Sequence, residues 1–144
     1  MMAQRGLQFP NYHGIDFRAD ALVSAAHRHP AHHFERIDLF DPSLSAKRYD
    51  TVIALEVLEH LFEPEKALAR LVELSSHRLV LTVPNEPWFQ LMNLVRGRDI
   101  VRLGNHPEHV QHWTPKSFAN FVSDHAKVVS VQTRFPFIIL IAEV

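Results

Sequence analysis

The segment Tyr49–Leu55 is the feature that most constrains the fold, because this short and largely apolar run ends abruptly in charged residues. A run of this length and composition is typical of a strand that is buried on both faces, as in a parallel sheet covered by helices. The sequence Glu-Val-Leu-Glu-His follows directly at 56–60. Ligands of open parallel sheets bind beyond the carboxyl ends of the strands, so we expect these ionisable side chains to be functional. If a helix begins directly after the strand, Glu56 and Glu59 share one face and His60 lies beside them.

The composition describes one soluble globular domain spanning 1–144, with 47% apolar residues and a formal net charge of -1. This charge offers no general attraction for a nucleic-acid backbone, although eleven histidines add positive charge below about pH 6.5. No cysteine is present, which excludes disulfides and thiolate metal sites. The sequence contains neither a signal-peptide pattern nor an apolar run near the ~20 residues that span a bilayer, so we expect a cytoplasmic protein without membrane contact.

Strand and helix patterns alternate along the chain. Strands are predicted at 12–16, 33–39, 49–55, 78–83, 127–132 and 137–143, and helices at 19–28, 64–75, 88–95 and from Pro115, with Thr114 as the cap. This order indicates an α/β fold with a mostly parallel sheet and helices on its faces. Only about four residues separate the last two strands, too few for a crossover, so these two should form an antiparallel hairpin.

An acidic residue, Asp16, ends the first predicted strand, an Asp-Leu pair at 38–39 comes at the end of the next, Glu-Val-Leu-Glu-His follows the third, and a hairpin closes the chain. This arrangement over roughly 11–144 resembles the class I S-adenosylmethionine-dependent methyltransferases of the type 11, 12 and 23 kind, which have a Rossmann-like fold. The resemblance implies S-adenosylmethionine as the cofactor. The residues that it assigns to the cofactor are Asp16 at the ribose hydroxyls, Asp38 and Leu39 at the adenine, and Glu56 and Val57 at the methionine end.

The beginning of the chain departs from this family. The family's first strand and glycine-rich turn should precede Tyr12, yet only eleven residues do, and their one glycine is Gly6. The resemblance therefore implies a partial methyltransferase domain over 1–144, truncated at its N-terminus, with unpaired backbone groups at buried sheet edges. The missing strand has three possible explanations. Either the gene start lies at an internal methionine, which is the explanation we favour; another chain or segment supplies the strand; or the two flanking strands pair with each other.

A second informative stretch is 105–114, which carries three histidines within seven residues. Together with the Glu-x-x-Glu-His run it resembles the magnesium- or manganese-dependent 2′-O-methyltransferases that modify the terminal ribose of small RNAs. That resemblance places metal ligands at Glu56, Glu59, His60 and His109. Many small-molecule methyltransferases carry a similar run without metal, and there His60 and Glu59 would be catalytic as a base or a substrate contact. In a third interpretation the carboxylate only complements a helix dipole and the histidine only packs.

The leading hypothesis is a methyltransferase that acts on a small molecule or a ribose hydroxyl. The alternative is a non-catalytic remnant, or a module that a partner chain completes by supplying the missing strand, in a homo-oligomer or a complex. A nucleic-acid partner lacks support because the chain has no basic stripe. The histidines at 27, 29, 32 and 33 straddle a helix end and a strand start, and we expect them to be solvated.

Overall fold

The computed structural model describes residues 11–85 and 110–144, which belong to two compact units, one up to Pro42 and one from Ser43 onward. The first unit is a β-α-β arrangement. Strand β1 (His13–Asp16) leads into helix α1 (Ala19–Arg28), and strand β2 (His33–Arg36) then pairs with β1 in parallel. His13 lies opposite His33 in this register.

Local chemistry explains the elements of the first unit. Helix α1 is rich in alanine, and it carries Asp20 in its first turn and Arg28 in its last, where each charge complements the helix dipole. Gly14 allows the two strands to approach, because a Cβ atom there would lie 2.6 Å from a ring carbon of Phe34. None of the described residues from 11 to 42 is fully buried.

The second unit contains a four-stranded sheet in the order β3-β4-β6-β5. Its elements are strand β3 (Tyr49–Leu55), helix α2 (Pro64–Leu74), strand β4 (Ser75–Pro84), helix α3 (Pro115–Ser123), strand β5 (Lys127–Arg134) and strand β6 (Phe137–Glu143). Strands β3 and β4 are parallel, whereas β6 runs antiparallel to both β4 and β5. The predicted closing hairpin is therefore confirmed.

The core of this unit lies between its sheet and the helices. Alternate residues of the two central strands are buried and face each other across the sheet, in the pairs Leu79 with Ala142, Leu81 with Leu140, and Val83 with Ile138. Helix α2 buries Ala67, Leu68, Leu71 and Leu74, and helix α3 buries Phe118 and Val122. Burial of each large apolar side chain contributes about 1.5–3 kcal/mol, so this core stabilises the end of β3 where the candidate site begins.

The sequence located most elements correctly. The predicted bounds of α1 and β3 are confirmed, and Thr114 caps α3 in a reciprocal capping box with Ser117. Strand β4 is longer than predicted and begins directly after α2. No described helix has the length and apolar character needed to cross a membrane.

Two predictions about strands are wrong in detail. Strand β2 ends at Arg36 rather than 39, because the Asp38 carbonyl accepts a hydrogen bond from the backbone N–H of Asp41 and so starts a turn. Strand β3 is not buried on both faces, since Ala54 is its single buried residue. The reason is that β3 is an edge strand of its four-stranded sheet. The predicted helix at 88–95 and His109 lie outside the described residues.

Candidate functional site

Glu56 follows β3 in an unusual backbone conformation, with a φ of 55°. A side chain other than glycine rarely adopts this left-handed region, and it does so at a cost of about 1 kcal/mol or more. Thr82 of β4 holds Glu56 in place: its carbonyl accepts a hydrogen bond from the Glu56 N–H at 3.1 Å, and its hydroxyl donates to Glu56 Oε1 at 2.8 Å. The carboxylate is thus fixed at the carboxyl end of β3.

The chain then forms a single 3-10 turn over Leu58–His60, and α2 begins only at Pro64. An α-helix therefore does not begin directly after β3, and the expected placement of Glu56 and Glu59 on one helix face does not apply. The Glu59 carbonyl accepts hydrogen bonds from the backbone N–H groups of Val110 at 2.8 Å and Gln111 at 3.1 Å. We predicted Glu59 at a boundary with solvent, yet its exposure is 0%, because the turn faces inward and is held there by the segment after 109.

The Glu59 carboxyl group is the most perturbed acid of the site. Neither of its oxygens has a hydrogen-bond partner within the described part of the chain. Burial, with a smaller contribution from the neighbouring Glu56 carboxylate, raises the pKa of Glu59 to about 8, while its own backbone N–H acts in the opposite direction. Its surroundings therefore favour the protonated form of Glu59.

His60 lies beside this buried acid and is open to solvent. Its Nε2 atom is 4.0 Å from Glu59 Oε1, and 37% of its side chain is exposed. This distance is longer than a hydrogen bond, so the imidazole is near the carboxyl group without bonding to it. Glu59 and His60 are adjacent in the chain, and their assignment as catalytic residues stays a prediction.

An aromatic cluster lies at the start of α3, shortly after the residues Val110 and Gln111 that bond to Glu59. Trp113 forms an isolated parallel bridge with Asn85, and its ring lies 4.7 Å from that of Phe121 and 5.4 Å from that of Phe118. Its indole Nε1 is buried and has no hydrogen-bond partner among residues 11–85 and 110–144. Trp113 thus links the strand β4 end to α3, which we did not predict.

The carboxylates assigned to the cofactor in the first unit have local partners. Asp16 Oδ1 accepts a hydrogen bond from the Arg18 N–H at 2.8 Å, and Asp38 Oδ1 accepts one from the Phe40 N–H at 2.8 Å. Each of these carboxylates therefore stabilises a turn within the first unit. Asp16 ends β1 and Asp38 lies two residues beyond the end of the parallel strand β2, with Leu39 next to it.

The four predicted metal ligands are only partly described, since His109 falls outside. Among the described residues, a set of three ligand atoms within 4.8 Å of one another occurs elsewhere, at His13, His33 and Glu35. The described geometry at Glu56, Glu59 and His60 does not form such a set. The unpartnered carboxyl oxygens of Glu59 are the one feature there that fits a cation.

Sequence reasoning missed the residues that hold the site together. Thr82 could have been found, because parallel pairing of the third and fourth strands places it opposite Leu55. Gln111, whose side-chain amide donates to the Leu61 carbonyl at 3.2 Å, is fifty residues away and carries no comparable signal. Long-range backbone contacts of this kind are decided by tertiary packing.

Comparison with known proteins identifies a family. The sequence model of a family described as "Methyltransferase domain" matches residues 2–78, which is more than half of the chain. No curated protein matches significantly.

Solved structures share the fold. Magnesium protoporphyrin IX methyltransferase from Synechocystis PCC 6803, with bound SAH, superposes with a TM-score of 0.68 at 22% identity, over 92% of this chain and 64% of that one. An O-methyltransferase family protein from Burkholderia thailandensis gives 0.70 at 14% identity, over 99% and 45%. A Haloferax volcanii complex between the Trm112 methyltransferase activator and a methyltransferase gives 0.74 at 11% identity, over 98% and 75%. The chain thus spans less than two thirds of the length of the first two.

Proposed function

Because this chain belongs to the class I S-adenosylmethionine-dependent methyltransferases, we propose that it transfers a methyl group from S-adenosylmethionine to a small-molecule acceptor or a ribose hydroxyl. The observation that carries the proposal is the arrangement after β3. There, a strained and anchored Glu56 precedes a buried, protonated Glu59 that lies 4.0 Å from an accessible His60. Strain and a perturbed acid at the carboxyl end of a strand are features of functional sites.

The donor set fits the cofactor that the family uses. Ribose hydroxyls need acceptors, and Asp16 offers a half-buried carboxylate at the carboxyl end of β1. Asp38 and Leu39 would contact the adenine. Glu56 and Val57 would line the methionine end, where an anchored carboxylate suits a cationic ligand.

In the proposed methyl transfer, the cofactor and the side chains of this protein would have different roles. Bound S-adenosylmethionine would supply an electrophilic methyl group on a sulfonium. His60 would accept the proton that the acceptor loses as it attacks, and its exposed ring leaves room for that acceptor. Glu59 would stay neutral at pH 7, so that it adds no negative charge beside Glu56 and can donate a hydrogen bond.

Binding of S-adenosylhomocysteine to the 144-residue chain, measured by isothermal titration calorimetry, tests the proposal. Asp16→Asn keeps the acceptor for the Arg18 N–H but removes the charge, and we expect at least tenfold weaker binding. Asp20→Asn removes a charge from an exposed position of the same unit and should leave binding unchanged. Equal affinities of the Asp16→Asn variant and the unsubstituted chain would contradict the assigned ribose contact.

A second candidate function is a module that is completed by a further segment or a partner chain. The observation in its favour is the lack of any fully buried residue between 11 and 42. The Haloferax structure shows one member of this fold with an activator. If the chain alone does not bind S-adenosylhomocysteine but an upstream-extended protein does, this function is supported, and binding by the chain alone contradicts it.

Further proposals concern a metal site, the cellular location and the binding partners of the protein. We retain Mg²⁺ or Mn²⁺ at Glu56, Glu59, His60 and His109 as a prediction, in which the ion would displace the Glu59 proton and bind the carboxyl oxygens that lack a partner in the described part of the chain. Millimolar Mg²⁺ should raise the melting temperature, Glu59→Ala should abolish the rise, and Glu65→Ala on α2 should not. An unchanged melting temperature argues against the site. A cytoplasmic location, a homo-oligomer and the absence of a nucleic-acid partner likewise remain predictions.

A further inference from the structure

A second cluster of metal-binding side chains lies in the first unit, at His13, His33 and Glu35. The parallel register places His13 opposite His33, and Glu35 lies two residues further along β2, so all three share one face of the two-stranded sheet. His13 and His33 each begin their strand, whereas the cofactor carboxylate Asp16 ends β1. The cluster is therefore distinct from the proposed cofactor residues.

The distances within the cluster match a coordination shell. His13 Nε2 lies 3.2 Å and His33 Nε2 lies 3.8 Å from Glu35 Oε2, and all three ligand atoms lie within 4.8 Å of one another. Ligands bound to Zn²⁺ at 2.0–2.2 Å in a tetrahedron are separated by about 3.4 Å. An ion can thus take the place of the hydrogen bond between His13 and Glu35 with small side-chain movements.

The chemistry of the cluster selects the class of ion. Two imidazoles and one carboxylate suit Zn²⁺ and its transition-metal neighbours, whereas Mg²⁺ and Ca²⁺ prefer oxygen ligands. The site is accessible, because 69% of the His33 side chain and 41% of the Glu35 side chain are exposed, while His13 is 11% exposed. Three protein ligands leave at least one position for water.

An ion bound at this cluster would also stabilise the first unit. A two-stranded sheet is marginal by itself, and none of residues 11–42 is fully buried. Small units with little core are commonly stabilised by a metal that links their elements. We propose that His13, His33 and Glu35 bind a divalent transition-metal ion that clamps β1 to β2.

Titration of the full 144-residue chain with Zn²⁺, followed by calorimetry, tests this proposal. We expect one tight site, with affinity reduced at least tenfold by His33→Gln and by Glu35→Gln. Both variants should fold, since these side chains are exposed and the amide oxygen introduced by Glu35→Gln still accepts the His13 hydrogen bond. Co²⁺ should give the visible absorption of a low-coordinate site in the unsubstituted chain only. Affinity should also fall on acidification, because protons compete with the metal for the imidazole nitrogens.

Matched controls separate this cluster from other ligands. His32 neighbours His33 in sequence, and its ring lies near those of Tyr12 and His29 instead. His32→Gln and Glu65→Gln should leave Zn²⁺ affinity unchanged, and Mg²⁺ should not compete. The proposal is overturned if no tight site is found, if His33→Gln binds as well as the unsubstituted chain, or if His32→Gln loses as much affinity as His33→Gln.

Discussion

At the scale of single residues, Glu59 concentrates the electrostatics of the candidate site. Its carboxyl group is fully buried, and its oxygens have no partner in the described part of the chain. An ionised carboxylate is poorly tolerated in such surroundings, so the native state holds a proton that the unfolded chain releases near pH 4.5. Stability and proton affinity are therefore linked at this residue.

The linkage predicts a specific dependence on pH. Since the pKa of Glu59 is raised in the folded state to about 8, its contribution to stability is full below about pH 4.5 and is lost as the pH rises toward 8. The free energy of unfolding should fall by up to about 1.4 kcal/mol per pH unit in this window. Glu59→Gln cannot ionise and should flatten the profile. Urea denaturation at several pH values measures the difference, and parallel profiles of the two proteins would contradict the prediction.

The positive φ of Glu56 gives a second prediction at this scale. In regular structure Gly is less stable than Ala by about 0.5–1 kcal/mol, but at a φ of 55° the order should reverse. Both Glu56→Gly and Glu56→Ala lose the hydrogen bond from the Thr82 hydroxyl to the carboxylate, so their comparison isolates the backbone. We expect the glycine variant to be more stable by about 1 kcal/mol in urea denaturation. A more stable alanine variant would show that the backbone is not strained.

At the scale of elements, the start of α3 is the best-defined boundary of the fold. Thr114 Oγ1 accepts a hydrogen bond from the Ser117 N–H at 3.2 Å, and Ser117 Oγ accepts one from the Thr114 N–H at 2.9 Å. Pro115 occupies the first helical position. This cap orients α3, which buries Phe118 against the ring of Trp113. Shortly before Trp113 in the chain, Val110 and Gln111 bond to the carbonyl of Glu59.

Removal of the cap should have a measurable cost. Thr114→Ala loses the side-chain acceptor and should lower the free energy of unfolding by about 1 kcal/mol. Thr114→Ser keeps the hydroxyl and should stay within a few tenths of a kcal/mol of the unsubstituted chain. Chemical denaturation of both variants checks this expectation. Equal losses in the two would attribute the effect to the threonine methyl group instead.

At the scale of the whole molecule, the two compact units differ in how they are stabilised. The unit from Ser43 onward has a layered apolar core, including Leu81, Leu140 and Phe118, all at 0% exposure. The unit up to Pro42 has a two-stranded sheet and, among its described residues, no fully buried side chain. The conformational entropy of ordering a chain is offset by burial, so the first unit should open more readily.

Hydrogen exchange should resolve this difference within one sample. We expect the amides of β1 and β2 to exchange at least a hundredfold faster than those of β4 and β6, since only the latter lie over the core. S-adenosylhomocysteine should slow exchange in the first unit if Asp16 and Asp38 contact it. Equal protection of the two units without ligand would show that the first is stabilised as strongly as the second.

Much of the fold could be predicted from local patterns. Periodicity and capping chemistry located α1, α2, α3 and the closing hairpin, because these signals depend on residues close together in the chain. They failed for the burial of β3, because burial depends on which strands flank it. They failed also for the end of β2, where the Asp38 turn interrupts an alternating pattern.

The sequence by itself determined the family, the order of the elements and the run of ionisable residues after β3, since motif and spacing are properties of the chain. Only the tertiary structure decided that Glu59 is buried and that its pKa is raised, because the turn that carries it is held by the backbone N–H groups of Val110 and Gln111. It also decided that His13, His33 and Glu35 meet on one face. Parallel pairing of two short strands brings together residues twenty positions apart, and no local pattern records that meeting.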